Sequence, residues 1–176
     1  MGTDGSMQVM RVESPRGNLR LAASEQGLCR VELVATPEEV TDPVDRAPTV
    51  GRCAVLQAAA TQIHEYLCGD RQVFDLPLDL RGTSFQKRVW QELVRIPFGV
   101  LVSYGAVAAA IGKPRAVRAV GGAIGRNPLL FVVPCHRVVG KNGDLTGFSA
   151  GMSHKRWLLA HEQALLSTPS LGITEA

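Results

Sequence analysis

The sequence predicts a mixed α/β fold in two parts: a small antiparallel sheet with one covering helix, then a mainly helical region built around a winged-helix-like helix-turn-helix. Three observations carry this. Residues 8–34 fall into short apolar–polar strands around turns, residues 50–68 and much of 83–125 turn to helical spacing, and 45% hydrophobic content over 176 residues is enough for a true core.

The hairpin comes first. Gln8–Glu13 and Asn18–Ala23 flank Ser14-Pro15-Arg16-Gly17, a turn made by a φ-fixing proline and a permissive glycine. Leu28–Val34 sets Leu28, Arg30, Glu32 and Val34 against Cys29, Val31 and Leu33, predicting a third, half-buried strand. Residues 35–49, with Pro37, Pro43, Pro48 and several acids, read as an exposed connector. Val50–Cys68 has helical composition, with Val55, Ala59, Ile63, Tyr66 and Leu67 on one face and Gly69 as the stop. Gln72–Leu80 is extended and leads to Arg81-Gly82, the expected boundary between a supporting part, residues 1–80, and a second part, residues 81–176. The first part shows no catalytic constellation. His64 and Cys68 stand four apart on its helix, with Cys29 and Cys53 elsewhere, but ligands scattered this way are weak evidence for zinc, and no metal is expected.

The second part opens with Thr83-Ser84-Phe85-Gln86, a capping box, and a helix carrying Phe85, Val89, Leu93 and Ile96 on its core stripe and Lys87, Arg88 and Arg95 outward. Ser103 suits the N-cap of a short helix over 104–111, Gly112-Lys113 the turn, and Pro114 the first turn of a second helix running to about Gly125. That pair reads as a helix-turn-helix. Interior glycines cost about 1 kcal/mol each in a helix, so Gly121 and Gly122 call for close approach of another backbone, either of the protein or of DNA. The small face of Ala119, Gly121, Gly122 and Ala123 suits the minor groove better than base reading in the major groove. Residues 129–139 then read as a buried apolar strand that delivers Cys135, His136 and Arg137 in succession after Pro134. A thiol beside an imidazole and a guanidinium forms the nucleophilic thiolate readily, although a buried structural cysteine remains the alternative. Lys141–Asp144 reads as a turn, and Ser153 as the cap of a last helix packed through Trp157, Leu158 and Leu165, ahead of a frayed tail.

Charge is divided along the chain. Residues 81–162 hold 12 Lys and Arg against 3 Asp and Glu, a balance of +9, while residues 1–80 hold 7 against 12, a balance of −5. A polyanion would bind the basic half, because neutralised phosphates release counterions. Four cysteines without a CxxC pair point to a reducing compartment, the first six residues lack the regions of a signal peptide, and no apolar run reaches membrane-spanning length, so a cytoplasmic protein is expected.

Pro134-Cys135-His136-Arg137-Val138 resembles the active-site signature of the O6-alkylguanine-DNA alkyltransferases, also called methylated-DNA–protein-cysteine methyltransferases. Ser103-Tyr104-Gly105, Pro114–Ala123, Asn127-Pro128, Ser149 and Leu158–Glu162 extend the resemblance over roughly half the chain. It implies direct repair of DNA: Cys135 takes the alkyl group from O6-alkylguanine, with O4-alkylthymine a candidate second base, in a nucleotide flipped out of the duplex. It assigns Arg118 to the gap left in the stack and the surrounding helix to the minor groove. His136 takes the thiol proton through a water, Glu162 orients the imidazole, and Tyr104 donates to a ring nitrogen of the leaving guanine. The backbone at Val138 and Ser149 holds the base, and Asn127 ties the helix-turn-helix to the active-site segment. Each has a plain alternative: Tyr104 a helix-start aromatic, Arg118 a solvated cation, Asn127 a helix stop, and Glu162 a surface acid paired with Lys155 or Arg156. The resemblance further implies a single-turnover methyltransferase with no cofactor, acting as a monomer on double-stranded DNA. Phe148 and Ala150 stand where many relatives have tyrosine and glycine, which bears on tolerance of bulky adducts. Non-catalytic alkyltransferase-like proteins lack the cysteine, so Cys135 argues against a pure damage-binding module.

Overall fold

The computed structural model describes residues 7–34 and 53–167. The connector at 35–49, the start of the first helix expected at 50–52, the terminal tail and the side chain of Leu165 lie outside the described residues. The mixed α/β expectation is met. Strands β1 (Gln8–Ser14), β2 (Gly17–Ser24) and β3 (Gly27–Val34) form an antiparallel meander, and helix α1 (Ala54–Cys68) packs on one face of it. The hairpin turn is closed by the Ser14 hydroxyl, which donates to Gly17 O at 2.6 Å and accepts from Arg16 N at 3.2 Å. Strand β3 departs from plain alternation. Ala22 pairs with Arg30 but Ala23 with Leu28, so Cys29 is the extra residue of a bulge. The bulge turns Leu28 to the same face as Val31 in the main core and sends Cys29 to a small cluster with Val9 and Ala22 on the opposite face.

Helix α1 buries Leu56, Ala59, Ile63, Tyr66 and Leu67. Leu56 takes the place expected of Val55, which is only half-buried. Gly69 ends the helix at φ 95°. The extended segment after it pairs along β3, with Leu28 N donating to Pro77 O at 2.8 Å and Asp79 N to Leu28 O at 2.9 Å.

The helical part begins with α2 (Ser84–Val94), whose capping box is complete: Thr83 Oγ1 accepts from Gln86 N at 3.2 Å and Gln86 Oε1 from Thr83 N at 2.9 Å. Its core stripe includes Trp90, which the spacing argument passed over and which donates through Nε1 to Ala123 O at 2.9 Å. Arg88 is exposed as expected, yet its guanidinium donates to Ile111 O at 3.0 Å at the end of the next helix. Two-residue strands β4 (Val102–Ser103) and β5 (Val138–Val139) pair in parallel, and between them lie helices α3 (Tyr104–Ala110) and α4 (Val117–Gly125). Ser103 caps α3 by accepting from Ala106 N at 3.1 Å, and Gly112 at φ 71° makes the turn of the helix-turn-helix. Helix α4 starts three residues later than Pro114 suggested. Residues 114–116 form a turn instead, with Ala116 N bonded to Lys113 O. The last helix, α5 (Met152–Ser167), starts one residue before Ser153, which is therefore inside its first turn and not its cap.

The core is continuous across Arg81-Gly82. Leu19, Leu21 and Val31 of the sheet, Ile63 and Tyr66 of α1, Trp90 of α2, Val120 of α4 and Leu158 of α5 all join one apolar cluster. The two parts therefore share the packing that fixes the residues between α4 and β5.

Candidate functional site

Residues 129–137 lie at the centre of that cluster, and they are not a strand. Leu129 makes one parallel bridge to Val31, with Val31 N donating to Pro128 O at 2.9 Å and Leu130 N to Val31 O at 3.1 Å. The chain then folds back on itself: Val133 N donates to Leu129 O at 2.9 Å, and Phe131 sits at φ 69° with 1% exposure. A bulky residue in the left-handed region is held there only by its surroundings, here the ring of Tyr66 and the main core. Cys135–Arg137 form a 3-10 turn that runs into β5. The run is buried as its composition predicted, but apolar runs alone do not separate a strand from a packed loop.

Asn127, just past the end of α4, organises this loop. Its amide nitrogen donates to Val133 O at 2.8 Å and to Cys135 Sγ at 3.0 Å, and its carbonyl oxygen accepts from Leu129 N at 2.9 Å. Cys135 is 3% exposed. Burial pushes its thiol above the ordinary value; the Asn127 amide, the Lys155 charge and backbone N–H groups pull the other way without overcoming it. The expectation that adjacent cations would yield a ready thiolate is therefore corrected. Arg137 is turned away from the sulfur. Its Nη1 donates to Ile96 O at 2.6 Å, and its Nε and Nη2 meet the Glu162 carboxylate.

His136 is fully buried, and burial holds its imidazole below the usual range despite the Glu162 charge. Its Nε2 is 2.7 Å from Glu162 Oε1, so this nitrogen carries the proton and donates it to the carboxylate. In the neutral ring Nδ1 is then the acceptor, and among the described residues it has no hydrogen-bond partner. Glu162, 1% exposed, is no surface acid. It also accepts from Arg137, from the Tyr66 hydroxyl at 2.7 Å and from Gly99 N at 2.8 Å. Burial opposes its ionisation, but His136 and Arg137 outweigh that and hold the carboxyl well below the ordinary range. Lys155 does not pair with it. The lysine is completely buried and donates to Val138 O at 2.7 Å and Thr146 O at 3.0 Å, joining β5 to the following loop. Burial lowers its ammonium pKa, and the nearby Cys135 offsets this only in part.

The remaining predicted residues surround this centre. Tyr104 is half-buried at the start of α3, its hydroxyl donating to Thr146 O at 3.0 Å, and its ring is what a Cβ on Gly121 would meet, at 3.8 Å. Gly122 faces outward, the nearest atom to its added Cβ being the Arg126 guanidinium at 3.4 Å. Arg118 and Ala119 are exposed on the same helix. Among the described residues no protein backbone explains the two glycines. Ser149 is exposed and Ala150 half-buried; with Asn127, Leu130 and residues of β3 they line one concavity. The sequence reasoning missed Tyr66 and the role of Lys155. Lys155 shares the three-and-four spacing of Leu158 and Glu162, which places it on the inward face of α5, and a hydroxyl on the buried stripe of α1 had to find a partner.

Among the described residues, no group of three or more His, Cys, Asp or Glu gathers to hold a metal; His64 Nε2 and Cys68 Sγ, 3.5 Å apart, stand as a pair.

A buried thiol followed directly by an imidazole paired with a buried carboxylate, on the loop that leaves a helix-turn-helix, is the arrangement of residues found in nucleophilic-cysteine proteins. Comparison with known proteins narrows the class. Residues 84–164 match the family described as "6-O-methylguanine DNA methyltransferase, DNA binding domain", and residues 9–80 its "ribonuclease-like domain". The chain is 41% identical over 152 residues to the methylated-DNA–protein-cysteine methyltransferase of Methanosarcina barkeri, covering 86% of this chain and 94% of that one. It is 44% identical over 157 residues to the constitutive enzyme of that name from Bacillus subtilis, covering 86% and 92%. Among solved structures it is similar to Mycobacterium tuberculosis O6-methylguanine methyltransferase, with TM-score 0.79 and 40% identity over 93% of this chain and 96% of that chain. The same organism's OGT in complex with DNA gives TM-score 0.75 and 39% identity, over 90% and 93%. The chain belongs to the methylated-DNA–protein-cysteine methyltransferase family.

Proposed function

We propose that this protein repairs DNA by direct reversal, moving the alkyl group of an O6-alkylguanine irreversibly onto Cys135, with O4-alkylthymine as a second candidate base. The observation that carries the reading is the placement of Cys135 Sγ, bonded to Asn127 at the end of the helix-turn-helix and followed directly by the His136–Glu162 pair. The Cys135 sulfur attacks the alkyl carbon, the S–C bond forms as the C–O6 bond breaks, and the thiol proton passes through a water to His136 Nδ1. Glu162 stabilises the imidazolium that results. Tyr104 gives a proton to a ring nitrogen of the departing guanine, so the base leaves neutral, and the phenolate is reprotonated from water as the imidazolium releases the thiol's proton to water; one proton leaves the thiol and one joins the guanine. The product is a thioether, which thiol exchange does not reverse. Each chain therefore acts once and needs no cofactor.

In this reading residues 81–176 bind double-stranded DNA as a monomer and residues 1–80 support them. Helix α4 lies in the minor groove with Ala119, Gly121 and Gly122 against the backbone, Arg118 fills the space of the extruded nucleotide, and the backbone at Val138 and Ser149 holds the base. Among the described residues no helix is long and apolar enough to cross a membrane; the reading places the protein in the cytoplasm. The test is the intact mass of the chain after incubation with a duplex carrying O6-methylguanine, beside Cys135→Ser and an unmodified duplex. The expected result is a stoichiometric gain of one methylene's mass, mapped to Cys135 and limited to wild type with lesion. Lesion-selective binding with no gain would overturn transfer and leave a damage sensor.

A further inference from the structure

Tyr66 belongs to α1, in the part of the chain where the sequence offered no catalytic group. Its ring is completely buried and fixed by Phe74, Phe98, Phe131 and the edge of His161. Those contacts account for an aromatic ring, and phenylalanine would satisfy them equally. They do not account for the hydroxyl, whose burial is costly unless it is bonded. It is bonded to the carboxylate behind the base: 2.7 Å from Glu162 Oε1, and 3.4 Å from His136 Nε2.

Oε1 is the crowded oxygen. Tyr66 at 2.7 Å, His136 Nε2 at 2.7 Å and Arg137 Nη2 at 2.9 Å all converge on it, while Oε2 takes Gly99 N at 2.8 Å and Arg137 Nε at 3.1 Å. Donors to one oxygen compete for its electron density. We propose that Tyr66 is a positioning residue for alkyl transfer, which shares the Glu162 charge with His136 and thereby limits the basicity of the imidazole that takes the Cys135 proton. This rests on the alkyl-acceptor reading above. Without the hydroxyl the carboxylate would bear more strongly on Nε2–H, and the imidazolium would persist to higher pH.

The other charged or titratable neighbours are Arg137 and Glu162 around Nε2, Lys155 near the imidazole, Cys135 as the preceding residue, and His161, whose Nε2 donates to Tyr66 O at 2.8 Å. The chain carries four histidines, and single Gln substitutions at His64, His154 and His161 assign the His136 signals.

The experiment uses the full chain, wild type and Tyr66→Phe, which keeps the ring. The imidazole nitrogens are followed by 15N NMR from about pH 4.5 to 8, and single-turnover methyl transfer from an O6-methylguanine duplex is measured over the same range. Loss of a hydrogen bond to a charged group should raise the His136 midpoint by about one pH unit and carry the acid limb of the rate with it. A His136 midpoint that stays where it was, whatever happens to rate or melting temperature, overturns the proposal and leaves Tyr66 a packing residue. Wild type that transfers no methyl at any pH overturns the acceptor reading instead. The midpoint, which needs no turnover, separates the two failures.

Discussion

The amide nitrogen of Asn127 lies 3.0 Å from the sulfur of Cys135, and the same side chain fastens Leu129 N and Val133 O. Asn127 follows α4 after one residue, so the helix-turn-helix and the thiol share one anchor.

Asn127→Ala removes all of these bonds at once. Leaving a buried carbonyl and N–H unmet costs about 1–3 kcal/mol, and the sulfur loses the strongest of the interactions that favour its thiolate. The expected outcome is a lower urea midpoint together with a methyl-transfer rate reduced about tenfold or more. Unchanged transfer in a folded variant would show that the amide serves the loop alone.

Much of this was legible in the sequence, and what was not has physical reasons. The hairpin, the capping box and the helix-turn-helix follow from local chemistry, since proline, glycine and hydroxyl side chains act within a few residues of themselves. Cys135, His136 and Glu162 were legible through motif resemblance, and the fold joins His136 to Glu162 directly after Cys135. The path of residues 129–137 was not, because burial on all sides removes the polar–apolar alternation that marks a strand. Tyr66 was hidden for a different reason: its partner Glu162 is 96 residues away, and no local pattern reports what a buried hydroxyl will meet. The bulge at Cys29 likewise depends on how β2 and β3 pair, not on either strand alone.

Acid should unfold this protein through the same site. Glu162 is held below its ordinary value of 4.5 in the folded chain, so its stabilisation is fully present above that pH and is lost as pH falls below it. His136 is held neutral below its ordinary 6.5, so the unfolded chain binds a proton first and stability begins to fall below about that pH. Urea midpoints should therefore decline from pH 6.5 downward and more steeply below 4.5. Glu162→Gln leaves Arg137 buried without its counter-charge, at a cost of about 3–5 kcal/mol near neutrality, and should flatten the steeper part. A wild-type midpoint that is level across this range would contradict the burial and pairing described.

Gly122 separates the two demands placed on α4. It lies in the interior of the helix, exposed, and a methyl group there meets only the movable end of Arg126 at 3.4 Å. By helix propensity alone Gly122→Ala should stabilise the chain by about 1 kcal/mol, raising the melting temperature. If α4 lies against the DNA backbone as proposed, the same methyl occupies the space that a phosphate or sugar needs, and lesion-duplex affinity should fall severalfold at fixed salt while the protein becomes more stable. Fluorescence anisotropy with a labelled duplex, run beside thermal melts, reads both. A stabilised variant that binds DNA as tightly as wild type would remove the close approach at Gly122 and move the groove contact elsewhere on α4, because among the described residues no contact requires a glycine at that position.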